Sequence, residues 1–285
     1  MDQLSDIDQW RRYAHEQRAR GRRVGLVPTM GALHEGHGSL VRAAHENGDV
    51  VLATIFVNPR QFHNDRDLAS YPRTPDADFA AAERFGVDCL IAPSLVAMWP
   101  NYPEPTATTV SVRGISDHLE GVGRPGHFDG VASVVAKLFA ITGPCRAYFG
   151  EKDFQQLGVI RAMVRDLALD VEVVGCPIIR DPDGLALSSR NVQLTESGRA
   201  RATALSRALA LVAAQPARAS EHRARLLESL HSSSLEPIYA EVVDPLTLVP
   251  SSDTNSGVAR ALLACTVDGV RLIDNGPVQL VAQGE

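Results

Sequence analysis

A short apolar run that ends in turn residues and passes directly into a helical pattern constrains this fold more than any other stretch. Residues 24–27 suit a strand buried on both faces of a parallel sheet, and Pro28 is expected to stop its hydrogen-bonded ladder. Gly31 and Gly36 then let the backbone turn and approach a ligand closely. From residue 37 onward, apolar residues recur at helical spacing. The stretch therefore predicts a strand, a loop and the start of a helix.

The first turn of this predicted helix has the features of an anion site. Backbone amides without a partner inside a helix point out of its N-terminus, with the positive end of the helix dipole behind them. Two imidazoles, His34 and His37, flank this position and can donate to phosphate oxygens. Alternatively, these histidines only cap the helix or lie on the surface. A zinc-protease helix is excluded, because Gly38 stands where the second His of His-Glu-x-x-His would be.

Strand and helix patterns alternate about five times along the first 178 residues, which predicts a doubly wound α/β fold with a parallel sheet. A smaller α+β domain is expected to follow, so the predicted domains are residues 1–178 and 179–285. The predicted strands of the first domain are 24–27, 50–57, 88–92, 146–149 and 171–174, with a short edge strand at 108–112. Its predicted helices include 7–20, 75–85 and 131–141, and its predicted loops are a charged one at 63–74 and a mobile, glycine-rich one at 120–130.

The smaller domain is predicted from a change in composition after residue 178. A hairpin is expected at 178–187, because Pro-Asp-Gly supplies turn geometry between two apolar arms. Alanine-rich helical patterns and alternating segments follow it. The predicted helices are 196–214 and 221–230, and the predicted strands are 238–243, 261–267 and 270–273.

The composition predicts a cytoplasmic enzyme with reduced cysteines. A chain of 285 residues with 45% hydrophobic content can bury two cores without disulfides, and its four cysteines are far apart. We expect no signal peptide, since the N-terminus has no apolar h-region, and no bilayer span, since no run of about 18 apolar residues exists. The net charge of −6 argues against a broad nucleic-acid surface. Any anion is therefore expected in a local pocket.

Further polar clusters follow other predicted segments, where ligands bind in open α/β sheets. Lys152, which lies between two acidic residues, could reach bound phosphates or could be a solvated lysine at a helix start. The hydroxyls and the guanidinium of residues 188–190 suit phosphate oxygens, although serines after a hairpin are often turn formers. Gln61 and Gln156 suit a small hydroxylated acid, unless they are simply exposed. No Walker motif, Gly-x-Gly-x-x-Gly or Gly-x-Ser-x-Gly elbow is present.

Five motifs occur in order at compatible spacing: PTMGALHEGH at 28–37, FVNPRQF at 56–62, YPRT at 71–74, GEKD at 150–153 and SSRN at 188–191. Together they closely resemble the pantothenate synthetase (pantoate–β-alanine ligase) family of the HxGH nucleotidyltransferases. The resemblance implies a Rossmann-like sheet with a small C-terminal lid domain, usually in a homodimer. It also implies ATP- and magnesium-dependent condensation of pantoate with β-alanine through a pantoyl adenylate, giving pantothenate, AMP and pyrophosphate.

The resemblance also implies the site residues. His37 would be the general acid, with His34, Lys152 and residues 188–190 sharing the phosphate charge. Gln61 would contact pantoate and β-alanine, and Gln156 would contact pantoate. The implied ATP site comprises Met30, Gly31, Ala32, Leu33, His34, Glu35, Gly36, His37, Gly150, Glu151, Lys152, Asp153, Ile179, Leu187, Ser188, Ser189 and Arg190.

Three residues depart from the family pattern without removing a polar group. Gly38 stands where a bulkier residue is expected, and it should cost the helix start about 0.5–1 kcal/mol. Arg60 and Leu187 stand where methionine is common. Two other functions stay open: a nucleotidyltransferase for a phosphorylated substrate, which would need extra cations in the acceptor pocket, and an inactive nucleotide sensor, which would lack one of the polar groups.

Overall fold

The computed structural model describes residues 1–62 and 64–282 and contains two compact units. The N-terminal unit comprises Met1–Glu151 and Gln156–Pro177, and the C-terminal unit comprises Lys152–Gln155 and the chain from Ile178 onward. The first unit contains a parallel sheet with helices, and the second contains a small antiparallel sheet with helices. The predicted fold, an α/β domain followed by a smaller α+β domain, is confirmed.

Six strands form the sheet of the N-terminal unit, and each neighbouring pair is parallel. They are β1 (Asp2–Leu4), β2 (Val24–Thr29), β3 (Val50–Ile55), β4 (Cys89–Ile91), β5 (Cys145–Gly150) and β6 (Val171–Cys176). Their spatial order is β1-β4-β3-β2-β5-β6. The chain therefore reverses its direction of progress across the sheet beside β2, which is where ligands bind in doubly wound folds.

Helices connect these strands. They are α1 (Ile7–Ala19), α2 (Glu35–Glu46), α3 (Asp65–Ser70), α4 (Pro75–Phe85), α5 (Leu95–Met98), α6 (Glu120–Gly123), α7 (His127–Thr142) and α8 (Phe154–Asp166). Short 3-10 helices occur at Pro59–Gln61 and Glu151–Asp153. No helix in the described part of the chain is both long and apolar enough to cross a membrane.

Strand β2 contains the apolar run 24–27, in which Val24, Leu26 and Val27 are completely buried. The expectation that Pro28 stops the ladder is wrong, because Pro28 is in register with Thr54 of β3. Since the carbonyl of the next residue faces β3, the imino nitrogen of Pro28 faces the β5 side. The pairing of β2 with β5 covers only Gly25 and Leu26, so no ladder bond is lost at the proline.

Two predicted loops and one predicted strand are wrong, and another predicted strand is too long. The loop at 63–74 contains α3, apart from His63, which lies outside the described residues. The glycine-rich loop at 120–130 contains α6 and the first turn of α7. Helix α7 begins four residues before its predicted start, since its N-cap, Gly126, adopts a positive φ of 76°. The edge strand at 108–112 is absent, since Val110 donates its amide to Ser133 Oγ instead of to a strand. The strand predicted at 50–57 ends at Ile55.

The C-terminal unit contains the antiparallel strands β7 (Pro237–Val243), β8 (Gly257–Val267) and β9 (Val270–Leu280) in sequential order. Its helices are α9 (Glu196–Ala202), α10 (Ala204–Ala213) and α11 (Ala219–Ser232), and a 3-10 helix lies at Ser189–Gln193. The single helix predicted at 196–214 is divided at Thr203, whose hydroxyl donates to the Ala200 carbonyl. The predicted hairpin at 178–187 is reduced to a turn closed by one bridge between Arg180 and Ala186.

Candidate active site

Two histidines cap α2, and their hydrogen bonds fix both rings. His34 Nδ1 accepts from the Gly36 amide at 3.1 Å, and His37 Nδ1 accepts from the His34 amide at 3.2 Å. The ring centroids are 4.1 Å apart. Since a backbone amide can only donate, Nδ1 is an acceptor in each ring, and the proton of a neutral imidazole lies on Nε2. Capping, which the sequence left as an alternative role, therefore also leaves each ring with an Nε2–H donor.

These contacts correct one detail of the predicted anion site. The amides of the helix's first turn were expected to face a ligand, but the Gly36 amide of that turn donates to His34 Nδ1, and the amide of the N-cap His34 donates to His37 Nδ1. The two imidazoles cap this helix end. The positive end of the helix dipole remains behind them.

The buried carboxylate of Asp78 binds the loop before α2, a contact that no pattern in the sequence indicated. Asp78, at the start of α4 and 2% exposed, accepts from the amides of Ala32 at 3.0 Å and Leu33 at 2.7 Å. Gly31 has a φ of 82°, and a Cβ there would lie 2.8 Å from Asp78 Oδ2. Ala32 also has a positive φ of 49°. The carboxylate therefore stabilises a backbone conformation that is otherwise costly.

Gln61 is buried, not exposed. It ends the 3-10 helix after β3, with 8% of its surface accessible. Its Oε1 accepts from Asn58 Nδ2 at 3.1 Å, and its Nε2 donates to the Met30 sulfur at 3.1 Å. His127 Nδ1 lies 2.8 Å from the Gln61 carbonyl and donates to it, because a carbonyl only accepts. Two predicted site residues, Met30 and Gln61, are thus in direct contact.

The other candidates of the N-terminal unit lie where β5 ends. Gly150 is the last residue of that strand, and Glu151 begins the 3-10 helix that follows. Gln156 is half-buried on α8, whereas its neighbour Gln155 is 3% exposed. The expected position at a strand-to-helix junction is therefore correct for these residues.

In the C-terminal unit, the bridge of the shortened hairpin brings Ile179 and Leu187 together, with the Leu187 amide 2.9 Å from the Ile179 carbonyl. Ser188 caps the next 3-10 helix, since its Oγ accepts from the Arg190 amide at 3.3 Å. Asn191 Nδ2 donates to the Ala186 carbonyl at 2.9 Å. Ser188 therefore forms a turn, while residues 188–190 are half-buried.

Lys152 also belongs to the C-terminal unit. Its carbonyl accepts from Asn275 Nδ2 at 2.9 Å, and the Asn275 side chain also contacts Arg260 on β8. Asn275 is 2% exposed, so the backbone at Lys152 is attached to a buried position of β9. Nothing in the sequence around residue 152 indicates this distant partner.

Two of the three departures from the family pattern are explained by packing. A Cβ at Gly38 would lie 2.8 Å from the Phe85 ring, so the glycine provides room for the last residue of α4. Arg60 lies with its guanidinium carbon 5.2 Å from the Trp99 ring centroid and 5.7 Å from that of Tyr102, a cation–π arrangement. The structure offers no explanation for Leu187.

The thiols are not suited to nucleophilic catalysis. All four cysteines are reduced and buried. Burial raises the pKa of Cys89 and Cys145 to about 12 and that of Cys176 and Cys265 to about 11, so the reactive thiolate is scarce at neutral pH. Within residues 1–62 and 64–282, no group of three or more His, Cys, Asp and Glu side chains is placed to hold a metal ion.

Comparison with known proteins gives one family. The family model for pantoate-beta-alanine ligase matches residues 2–277. The chain is 51% identical over 267 residues to a pantothenate synthetase of Paracoccus denitrificans, covering 92% of this chain and 93% of that protein. It is 50% identical over 274 residues to one of Acidobacterium capsulatum, covering 93% and 90%.

Solved structures agree with this. The crystal structure of pantothenate synthetase from Thermus thermophilus superposes with a TM-score of 0.88 at 45% identity, covering 97% of this chain and 99% of that one. Pantoate-beta-alanine ligase from Francisella tularensis, complexed with beta-gamma ATP and beta-alanine, superposes with a TM-score of 0.81 at 34% identity and 97% coverage of both chains.

Proposed function

The chain belongs to the pantoate–β-alanine ligase family, and on this basis we propose how its residues catalyse the ATP-dependent condensation of pantoate with β-alanine. In the first step, a pantoate carboxylate oxygen attacks the α-phosphorus of ATP. The bond between the α- and β-phosphates breaks, and pyrophosphate leaves. In the second step, the amine of β-alanine attacks the acyl carbon of pantoyl adenylate, AMP leaves, and the ammonium proton is released.

The capping geometry of His34 and His37 is the observation that carries this proposal. Because both Nδ1 atoms accept from backbone amides, both Nε2 atoms can donate to an oxygen of the nucleotide. His37, to which the family resemblance gives the role of general acid, donates a hydrogen bond from Nε2 to the departing oxygen, and His34 shares the phosphate charge. Donors fixed before the reaction stabilise charge that develops in the transition state at little reorganisation cost. Lys152 and the segment 188–190 share the remaining charge of the departing pyrophosphate.

Gln61 and Gln156 bind pantoate, and Gln61 also contacts β-alanine. Both side chains are uncharged, which suits a small hydroxylated acid better than a phosphorylated one. Burial of the Gln61 amide supports this role, since a buried side chain with partners on both sides holds its position before the substrate arrives. The nucleotide is held by residues 30–37, 150–153 and 187–190 together with Ile179.

Magnesium is proposed as the ion that accompanies ATP. The ion keeps several waters and commonly binds through substrate phosphates and only one or two carboxylates, so it needs no cage of protein ligands. Glu151 and Asp153 are the acidic side chains beside Lys152, and they fit such a partial set. Bound there, the ion would neutralise phosphate charge.

The second step requires a neutral amine. An aliphatic ammonium with a pKa near 10.4 is neutral in only about one part in a thousand near pH 7.4, a cost of about 4 kcal/mol. The acyl adenylate must also be protected from hydrolysis. We therefore propose that residues 179–285 act as a lid that closes during turnover. We also propose that Arg124, in the glycine-rich segment 120–130, reaches a phosphate during this closure. In the structure, its Nη1 atom lies 3.1 Å from His127 Nε2 within the N-terminal unit.

A homodimer and a cytoplasmic location complete the proposal. The homodimer follows from the family resemblance, and the cytoplasmic location follows from the composition. Size-exclusion chromatography with light scattering tests the dimer, which predicts a mass of twice 30.7 kDa.

The decisive experiment is exchange of labelled pyrophosphate into ATP without β-alanine. Adenylation of pantoate predicts exchange that depends on pantoate, and pantothenate should form once β-alanine is added. Exchange that depends on a phosphorylated acid instead would favour the other nucleotidyltransferase. ATP binding without any exchange would favour the inactive sensor.

A further inference from the structure

We propose that Trp99 is a positioning residue for pantoate: through Asn58, its indole N–H sets the orientation of the Gln61 amide. The consequence is that Gln61 presents N–H donors, and not its carbonyl oxygen, to the substrate. This inference rests on the proposed role of Gln61 in binding pantoate. It adds a residue outside the five motifs, which lies 38 positions along the chain from Gln61.

The side-chain amide of Asn58, which is 1% exposed, has one fixed orientation. Its Oδ1 lies 2.9 Å from Trp99 Nε1 and 3.3 Å from the amide nitrogen of Arg60, and both of these groups can only donate. Its Nδ2 lies 3.1 Å from the Gly130 carbonyl, which can only accept. Because groups of fixed polarity lie on both sides, only one of the two amide orientations satisfies them.

The orientation of the Asn58 amide fixes that of the Gln61 amide in turn. The Nδ2 group of Asn58 also faces the Gln61 amide at 3.1 Å, so the Gln61 atom on that side must be the acceptor, Oε1. Gln61 Nε2 then faces the Met30 sulfur at 3.1 Å, and a thioether can only accept. The atom of pantoate that meets Gln61 is therefore an acceptor oxygen.

The surroundings of Trp99 hold its indole N–H in one direction. The ring is 5% exposed, at the end of α5. The Arg60 guanidinium carbon and the Lys137 ammonium lie 5.2 and 5.1 Å from the ring centroid, and Lys137 also donates to the Met98 carbonyl. Contacts of this kind restrict rotation of the indole. A reversed Asn58 amide would oppose the indole N–H with its own N–H groups and leave buried polar atoms unpaired.

The test compares two tryptophan variants in pantoate-dependent pyrophosphate exchange. Trp99→Phe keeps an aromatic ring but removes the donor. Trp10→Phe is the matched control, because Trp10 is completely buried on α1 and its Nε1 has no partner in the described part of the chain. We expect Trp99→Phe to raise the KM for pantoate about 3- to 10-fold, with the KM for ATP unchanged within about twofold. Trp10→Phe should leave both constants unchanged.

A double-mutant cycle separates positioning from general packing. In a Gln61→Ala background the oriented amide is gone, so Trp99→Phe should have no further effect on pantoate binding. An additive effect would show that Trp99 acts independently of Gln61 and would overturn the inference. If Trp99→Phe does not fold, benzothienylalanine at position 99 removes the N–H at nearly constant shape, and the same rise in the pantoate KM is expected.

The result also distinguishes this inference from the proposed function. Wild-type exchange that requires pantoate, combined with normal constants for Trp99→Phe, overturns the inference alone. Wild-type protein without pantoate-dependent exchange overturns both.

Discussion

Asp78 shows how much the loop before α2, the proposed nucleotide-binding loop, depends on one side chain outside the recognised motifs. Its carboxylate accepts two consecutive amides, at Ala32 and Leu33, from a buried position. In Asp78→Asn, one acceptor oxygen is replaced by an NH₂ group that faces a backbone N–H. We expect a loss of about 1–3 kcal/mol in the free energy of unfolding and an increased KM for ATP, measured by urea denaturation and exchange kinetics.

Asp76→Asn is the matched control for this variant. Asp76 is exposed in the same first turn of α4, so it shares the favourable interaction with the helix dipole but does not accept from the loop amides. It should leave the KM for ATP unchanged. Equal effects of the two substitutions would show that Asp78 acts through the helix and not through the loop.

A single substitution at Lys152 tests its proposed contact with the phosphates. Lys152→Ala should lower pyrophosphate exchange at least about 100-fold, because an ammonium donor to phosphate in a water-poor site is lost. The fold should be retained, since the anchoring contact with Asn275 uses the Lys152 carbonyl. Circular dichroism checks the fold. Arg165→Ala removes an exposed cation that pairs with its neighbour Asp166, and it should leave exchange unchanged. Near-normal exchange in Lys152→Ala would contradict the phosphate role.

At the level of helices and strands, the proposed pantoate site at Gln61 depends most on the close packing of α7 against the 3-10 helix Pro59–Gln61. A Cβ at Gly130 would lie 2.1 Å from the Arg60 carbonyl oxygen and 2.7 Å from the Gln61 amide nitrogen, and backbone cannot yield as a side chain can. Gly130→Ala should therefore destabilise the protein by about 1–3 kcal/mol and increase the KM for pantoate. Thermal unfolding and exchange kinetics measure the two effects.

Gly158→Ala provides the comparison, since Gly158 also lies inside a helix of the same sheet unit. A Cβ there meets the terminal methyl of Ile115 at 2.6 Å, and a side-chain end can move. The higher helix propensity of alanine offsets part of that adjustment. Substrate constants should stay normal. A changed pantoate KM in Gly158→Ala would show that the effect at Gly130 is not local.

Local patterns predicted some of these elements well. The apolar run of β2, the turn at Gly31 and the helical spacing after His37 are contiguous, so the strand, the loop and α2 followed from the sequence. Partners far apart in the chain left no such pattern. Strand β1 has only three residues, stabilised by pairing with β4, and Gly130 is 72 residues from the Asn58 side chain that it orients.

The same distinction holds for the candidate site. His34, His37 and Gln61 could be selected because they belong to motifs at the ends of predicted strands. Asp78 and Trp99 could not, since a carboxylate in a first turn and a tryptophan near prolines have common structural explanations. Only the distances of Asp78 to the loop amides and of Trp99 to Asn58 indicate the roles proposed for them.

The C-terminal unit should lose stability in acid. Five of its carboxyl groups have a pKa below the ordinary value. For Asp268 the cause is hydrogen bonding from the Thr195 hydroxyl and amide, with a further contribution from Arg201. The others are Asp183, which accepts from the Leu185 amide, Glu221 beside Arg218, Asp244, where bonds from Thr247 outweigh burial, and Asp253, which accepts from Ser220.

A pKa that is lower in the folded than in the unfolded state stabilises the fold fully above the unfolded value, about 3.9 for Asp, and the stabilisation is lost as the pH falls through the folded value. The C-terminal unit should therefore lose stability as the pH falls below about 4. Both tryptophans, Trp10 and Trp99, lie in the N-terminal unit, so their fluorescence reports only that unit. Hydrogen exchange at pH 7 and pH 3.5 measures the two units separately. Asp268→Asn should reduce the acid dependence of the C-terminal unit, whereas Asp166→Asn, in the other unit, should not. An unchanged acid dependence in Asp268→Asn would contradict the assignment.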